Sequence, residues 1–255
     1  MRYATLASGS GGNATLVEHD GHGLLVDCGP STRTLLARMG ELGFDPTRLD
    51  AVLITHEHDD HIGSAASLAR RLDLPVHLSA GTARATRDRF DAHAALMPLT
   101  PGRALRVGPF GVLPVIVPHD AREPCQFVIT AGARRLGILT DLGQPTPHVE
   151  HHYRALDGLV LEFNHDPELL ARSPYPRSLQ ARIGGAYGHL SNQQASALLS
   201  RLEPQSLVGF TAAHLSEKTN SPAHVAACLE DCLPAGVPRH IAQQDAASPW
   251  LGLDG

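Results

Sequence analysis

The segment Thr55-His56-Glu57-His58-Asp59-Asp60-His61 places three imidazoles and several carboxylates within seven residues. Neutral imidazole is the commonest side-chain metal ligand, and carboxylates suit the same divalent ions. On an extended chain His56 and His58 point the same way and reach one ion, which leaves Asp60 and His61 to serve a second. The plain alternative is a polar surface turn rich in histidine. A pair of sites needs more ligands, and three polar residues close apolar runs elsewhere: His119 in Val-Pro-His-Asp, Asp141 in Leu-Thr-Asp-Leu-Gly and His214 in Thr-Ala-Ala-His-Leu-Ser. Each alone is an ordinary loop residue, but together they complement one cluster. A carboxylate is the natural bridge between two cations, so Asp141 is placed between them.

These residues must be delivered by strands ending at a common rim. Runs rich in β-branched and apolar residues predict strands at 3–7, 14–18, 23–27, 51–55, 76–79, 112–117, 126–130, 135–140, 158–163, 207–211 and 239–243. Helical spacing predicts helices over 31–42, 62–72, 147–156, 192–202 and 222–233, with Ser191 and Ser221 as N-caps. No linker divides the chain. The pattern predicts one layered α/β domain over 1–255, with sheets inside and helices outside.

The 255 residues are 42% apolar and 18% charged, too apolar for a disordered chain. The longest apolar stretches fall well short of the roughly 18 residues that span a bilayer, so no membrane segment is expected. The N-terminus lacks the apolar run of a secretory signal, and the expected location is cytoplasmic. Cys28, Cys125, Cys228 and Cys232 form no disulfide pattern, and free buried thiols are expected rather than half of a metal site at 228 and 232. A net charge of −5 argues against bulk electrostatic coating of nucleic acid but allows local phosphate contacts.

The H-x-H-x-D-H cluster and the later His, Asp and His resemble the metallo-β-lactamase superfamily. Ser8-Gly9-Ser10-Gly11-Gly12-Asn13, Val26-Asp27-Cys28-Gly29, Glu162-Phe163-Asn164-His165-Asp166, Pro174-Tyr175-Pro176 and Gly188-His189-Leu190-Ser191-Asn192 narrow the resemblance to its YycJ/WalJ-type exonuclease branch. The resemblance implies an αββα sandwich of two mixed β-sheets flanked by helices, two divalent ions (Zn²⁺ or Mn²⁺) and no organic cofactor. It further implies phosphodiester hydrolysis, with single-stranded DNA attacked from its 5′ end. Residue by residue, it gives His56, His58 and His119 to one metal, Asp60, His61 and His214 to the other, and Asp141 to both. Asp27 then supports the metal loop without ligating. His189 corresponds to the histidine facing the scissile phosphate, and Glu162 to the acid that orients it. Asp59 stands where relatives commonly carry Ser, and Phe163 replaces a small polar residue.

The chemistry these roles imply is attack by a metal-bridging hydroxide, with Asp60 in the catalytic set and imidazolium His189 protonating the departing 3′ oxygen. His189 also reads as a mere helix-preceding residue. Ser10, Asn13, Asn164 and His165 are candidates for substrate contact, the first two through free backbone N–H groups of a Gly-rich turn. Arg33, Arg122, Arg172, Arg177 and Arg182 are candidates to steer a polyanion, although solvated partners of the 26 acids are equally ordinary. The remaining histidines, at 19, 22, 77, 93, 148, 151, 152, 224 and 240, lack ligand spacing. A thioesterase or cyclic phosphodiesterase of the same fold is the alternative enzyme. A metal-structured binding protein without turnover is disfavoured, because the ligand set leaves room for water.

Overall fold

A computed structural model describes residues 1–92 and 94–254; His93 therefore lies outside the described residues. The strands are β1 (Arg2–Ala7), β2 (Ala14–His19), β3 (His22–Val26), β4 (Leu49–Leu53), β5 (Val76–Ser79), β6 (Leu96–Leu99), β7 (Leu105–Val107), β8 (Phe110–Ile116), β9 (Cys125–Ala131), β10 (Arg134–Leu139), β11 (Gly158–Glu162), β12 (Gly209–Ala213), β13 (Arg239–Ile241) and β14 (Leu251–Gly252). The helices are α1 (Thr32–Glu41), α2 (Asp59–Ile62), α3 (Ala65–Leu72), α4 (Ala80–Ala85), α5 (Pro147–Tyr153), α6 (Pro167–Arg172), α7 (Arg177–Ile183), α8 (Asn192–Arg201) and α9 (Pro222–Cys232).

Side chains alternate across a strand, so a strand covered on both faces needs apolar residues at successive positions. Leu24-Leu25-Val26 shows the consequence. Leu24 and Val26 enter a core shared with Phe127, Ile129, Leu136 and Ile138 of the other sheet, while Leu25 faces α1 and α3 among Leu35, Met39 and Leu68. On the far side Leu139 and Leu161 pack with Val149 and Tyr153 of α5, Leu198 and Leu199 of α8, and Leu229 of α9. Three apolar layers thus separate helix, sheet, sheet and helix. The sheets run β14-β1-β2-β3-β4-β5-β6 and β13-β12-β11-β10-β9-β8-β7. Both are mixed: β3 to β6 and β10 to β13 are parallel, and the remaining pairs are antiparallel.

Several boundaries differ from the sequence expectation. The helix read over 62–72 is two pieces, α2 and α3, broken at Gly63 and Ser64 where the chain presses on the Cys28–Gly29 loop: Ser64 N–H donates to the Cys28 carbonyl at 2.8 Å. The strand read over 207–211 lies two residues later, so β12 ends immediately before His214. Strands β6, β7 and β14 and helices α4, α6 and α7 carry no periodic apolar signal; β14 exists because Leu251 and Gly252 pair with β1 across the whole chain length. Ser191 and Ser221 cap α8 and α9 as expected, the former in a reciprocal capping box with Gln194. All four cysteines are free thiols; Cys28 and Cys125 are buried, but Cys228 and Cys232 on α9 are only half-buried, packed against the edge of the core beneath that helix. Among the described residues no helix is long and apolar enough to cross a membrane.

Candidate metal centre

The site lies where strands end. Asp27 follows β3, Asp141 follows β10 and His214 follows β12, each as the first or second residue past its strand. All three adopt left-handed backbone, with φ of 63°, 51° and 56°. That conformation costs a non-glycine residue about 1–2 kcal/mol, so tertiary contacts must hold it. Asp27 accepts hydrogen bonds from Thr55 N–H at 2.9 Å and from the Thr55 hydroxyl, and its Oδ2 meets His61 Nδ1 at 2.8 Å. His214 N–H donates to Ser8 Oγ at 2.7 Å. The histidine loop is clamped by its neighbours: Asn13 N–H donates to the Asp60 carbonyl and Cys28 N–H to the His61 carbonyl. Gly29 is required there, because a Cβ would collide with the Asp60 carbonyl.

The outer hydrogen bonds fix which nitrogen each ring turns inward. His119 Nδ1 lies 3.1 Å from the Gly188 carbonyl, which only accepts, so Nδ1 carries the proton and Nε2 presents a lone pair to the centre. His61 Nδ1 on Asp27 and His214 Nδ1 on Glu162 Oε1, at 2.9 Å, direct their Nε2 atoms inward in the same way. The ligand atoms of His56, His58 and His119 lie within 4.8 Å of one another, as do those of Asp60, His61 and His214, and Asp141 joins His56 and His61 in a third such group. Every residue expected to hold metal therefore converges on one place.

The donor set fits cations. Asp141 Oδ2 is buried with no hydrogen-bond donor directed at it, although His61 Nε2 stands 3.1 Å away. Burial pushes the carboxyls of Asp141 and Asp60 up, but the surrounding histidines outweigh it and hold both below the usual carboxylate range. Conversely, burial pulls His61 and His214 down, yet Asp141 and its fellow acids raise both, His214 to about 10. Without an ion, protons on these two imidazoles occupy the place a cation takes. Burial keeps His56 and His119 below their ordinary value, hence neutral and ready to ligate. The clusters can hold metal ions.

Beside the ligands lies a second pair. His189 Nδ1 is 2.7 Å from Glu162 Oε1, and Glu162 Oε2 accepts from the N–H groups of Leu142 and Leu190 at 3.1 and 3.0 Å. With His214 added, both oxygens of Glu162 are saturated, so this carboxylate orients rather than ligates. Burial lowers His189, but the Glu162 charge and hydrogen bond raise it above its ordinary value. Gly188 lets the turn close, since a Cβ there would strike the carbonyls of Arg182 and Ile183.

A cavity of about 420 Å³ opens over the centre, lined by Asp60, Asp141, His189, His214 and, among the other candidates, Ser10 and Asn164. Asn164 Nδ2 donates to the His214 carbonyl. Asn13 faces inward instead: its Nδ2 meets the Gly9 carbonyl and His61 Nε2, at 3.1 and 3.2 Å. The backbone N–H groups of Gly9, Gly11, Gly12 and Asn13 are bonded within the protein, so of this turn's N–H groups Asn13 is taken and the Ser10 N–H is the one left for a phosphate. His165 lines a neighbouring cavity across α7. Of the five arginines, Arg182 lines the main cavity and pairs with Asp120, and Arg172 pairs with Glu168 on α6. Asp59 pairs with Arg89, and Phe163 is wholly buried against Phe210. Sequence reasoning missed Thr55, whose hydroxyl joins Asp27 to His56 Nδ1, and Asp120, next to His119 on the cavity rim. Their adjacency to assigned ligands was the only available signal.

The profile of the metallo-β-lactamase superfamily matches residues 7–203. The chain belongs to the metallo-β-lactamase superfamily. It is 31% identical over 228 residues to the exodeoxyribonuclease WalJ of Streptococcus pneumoniae, covering 86% of this chain and 83% of the relative. It is also 31% identical over 226 residues to the exodeoxyribonuclease YycJ of Bacillus anthracis, covering 86% and 84%. Among solved structures, the metallo-β-lactamase fold protein YhfI of Bacillus subtilis superposes with a TM-score of 0.73 at 17% identity, covering 97% of this chain and 99% of that one. The αββα sandwich is thus the superfamily's fold, and the chain is an enzyme of this hydrolase superfamily.

Proposed function

We propose that this chain, as one αββα domain, is a phosphodiesterase that shortens single-stranded DNA from its 5′ end with the help of two divalent ions, Zn²⁺ or Mn²⁺. The observation that carries the reading is His189, held by Glu162 at 2.7 Å on the cavity side of the ligand cluster. Phosphate esters have poor leaving groups, and a positioned acid contributes roughly 10²- to 10⁴-fold to their cleavage. Thioesters need such an acid less. The WalJ and YycJ relatives are exodeoxyribonucleases by name, which supports the choice of DNA.

In this reading His56, His58 and His119 would hold one ion and Asp60, His61 and His214 the other, with Asp141 shared between the two sets. A pair of ions held there would supply a water of lowered pKa and neutralise charge on the non-bridging phosphate oxygens. Asp27 and Thr55 brace His61 from behind. Glu162 fixes Nδ1 of His189 and favours the imidazolium, so that Nε2–H faces the cavity. As the phosphorus–oxygen bond breaks, that proton passes to the departing 3′ oxygen, leaving a neutral imidazole with Nδ1–H still on Glu162. Asn164, through the His214 carbonyl, and Ser10 complete the cavity wall.

The test is single-stranded DNA labelled at its 3′ end, incubated with Mn²⁺ or Zn²⁺ and either the wild type or His189→Ala. Stepwise shortening of the labelled strand, slowed roughly 10²- to 10⁴-fold in the variant, is expected. Intact DNA under both metals, with cleavage of thioesters or bis-p-nitrophenyl phosphate instead, would overturn the reading in favour of a small-substrate hydrolase.

A further inference from the structure

The cavity has two unlike walls. One is the polar ligand cluster; the other comes from the segment between α6 and α8 and presents Tyr175, Leu179, Arg182 and Ile183. Helix α7 has no buried residue, so these apolar side chains are not core residues that happen to reach the cavity. Phosphate chemistry has no use for them. A nucleotide does, because each base has an aromatic face that gains from stacking.

We propose that Tyr175 is the platform on which the nucleobase beside the scissile phosphate stacks, with Leu179 and Ile183 closing the apolar wall; the proposal rests on the nuclease reading above and adds its specificity residue. The backbone that carries the ring is held firmly. Pro174 and Pro176 flank it and limit its backbone, and Gln180 Nε2 donates to the carbonyls of both Tyr175 and Ser173, at 3.0 and 3.3 Å. Lys218, the only lysine in the chain, sets its Nζ over the Tyr175 ring, 5.4 Å from the centroid, which brings positive charge beside the platform. The volume of about 420 Å³ belongs to the range of small-molecule sites, roughly 300–1,000 Å³, and suits one nucleotide. A cavity sized for one nucleotide has no room for a base pair, so a base that enters it to lie on Tyr175 has left its partner. Selection of unpaired ends is thereby built into this wall rather than into the metal ligands.

The experiment compares wild type, Tyr175→Phe and Tyr175→Ala on two 3′-labelled oligonucleotides, one ordinary and one abasic at the nucleotide beside the first scissile bond. Stacking predicts that the Ala variant raises KM on the ordinary strand roughly 5- to 150-fold with a smaller change in kcat, that Phe restores it, and that the Ala penalty disappears on the abasic strand. A parallel binding measurement uses 2-aminopurine at the same position, with quenching expected on wild type and Phe but not on Ala. An equal Ala penalty on both strands would overturn the proposal and leave Tyr175 a structural partner of Lys218 and Gln180. A wild type that quenches 2-aminopurine but cuts no DNA would refute the nuclease reading while retaining the platform. Absence of quenching on the wild type would refute the platform itself.

Discussion

Asparagine in place of Asp27 tests how far the proposed metal centre depends on a residue outside its proposed ligand set. The change is nearly isosteric, and asparagine tolerates the left-handed backbone at φ 63°, so the turn itself should persist. The amide oxygen can still accept from Thr55 N–H at 2.9 Å. The amide nitrogen then replaces Oδ2, 2.8 Å from His61 Nδ1, and two donors face each other. His61 relieves the conflict by moving its proton to Nε2, which is the nitrogen that must ligate. Loss of such a supporting partner typically weakens metal binding about 10- to 100-fold, or roughly 1.4–2.7 kcal/mol. Competition with a chelator of known affinity measures this directly, with circular dichroism checking that the fold is retained. A variant that binds metal within threefold of the wild type would refute the tautomer argument for His61.

Alanine at Gly188 should destabilise the protein by about 1–3 kcal/mol through overpacking against the Arg182 and Ile183 carbonyls, read as a lower denaturant midpoint at unchanged slope; an unshifted midpoint would contradict it. Burial would raise Glu162, but His189 and His214 hold it at about 2, below its ordinary 4.5. The unfolded chain thus binds the extra proton first, so in chelator-treated protein this contribution is complete above about pH 4.5 and is lost as the pH falls towards 2. Glu162→Gln should flatten that acid limb, and an unchanged limb would count against the pairing. Replacing Arg177 and Arg182 by Gln should weaken binding of single-stranded DNA more at low salt than at high, with the log–log salt slope shallower by about 0.7 for each phosphate contact removed. An identical slope would exclude both arginines from the interface.

The site was legible in the sequence to the extent that its chemistry is local. His56, His58, Asp60 and His61 sit on one turn, and their spacing alone suggests ion binding. His119, Asp141 and His214 were found because each ends an apolar run that becomes β8, β10 or β12. What was not legible depends on contacts between distant segments. The Gly-rich turn looked open, yet Gly11 N–H is taken by Gln244 Oε1, from the other end of the chain. The α6–α7 segment covers a cavity and not a core, so its role in shaping the site appears only once Tyr175 and Ile183 are seen lining the same cavity as His189. His165 shows the limit of reasoning by neighbours: it adjoins Asn164 in sequence, but successive residues face different ways, and the two line different cavities.

The proposed proton transfer from His189, oriented by Glu162, to the leaving oxygen can be measured directly. The experiment is the rate of wild type and His189→Ala on thymidine 5′-phosphodiesters whose leaving groups range from p-nitrophenol to an alkyl alcohol. The variant should be nearly as fast as wild type with p-nitrophenol, which leaves without a proton, and roughly 10²- to 10⁴-fold slower with the alcohol. A loss of equal size across the whole series would contradict it and assign His189 to binding or metal support instead.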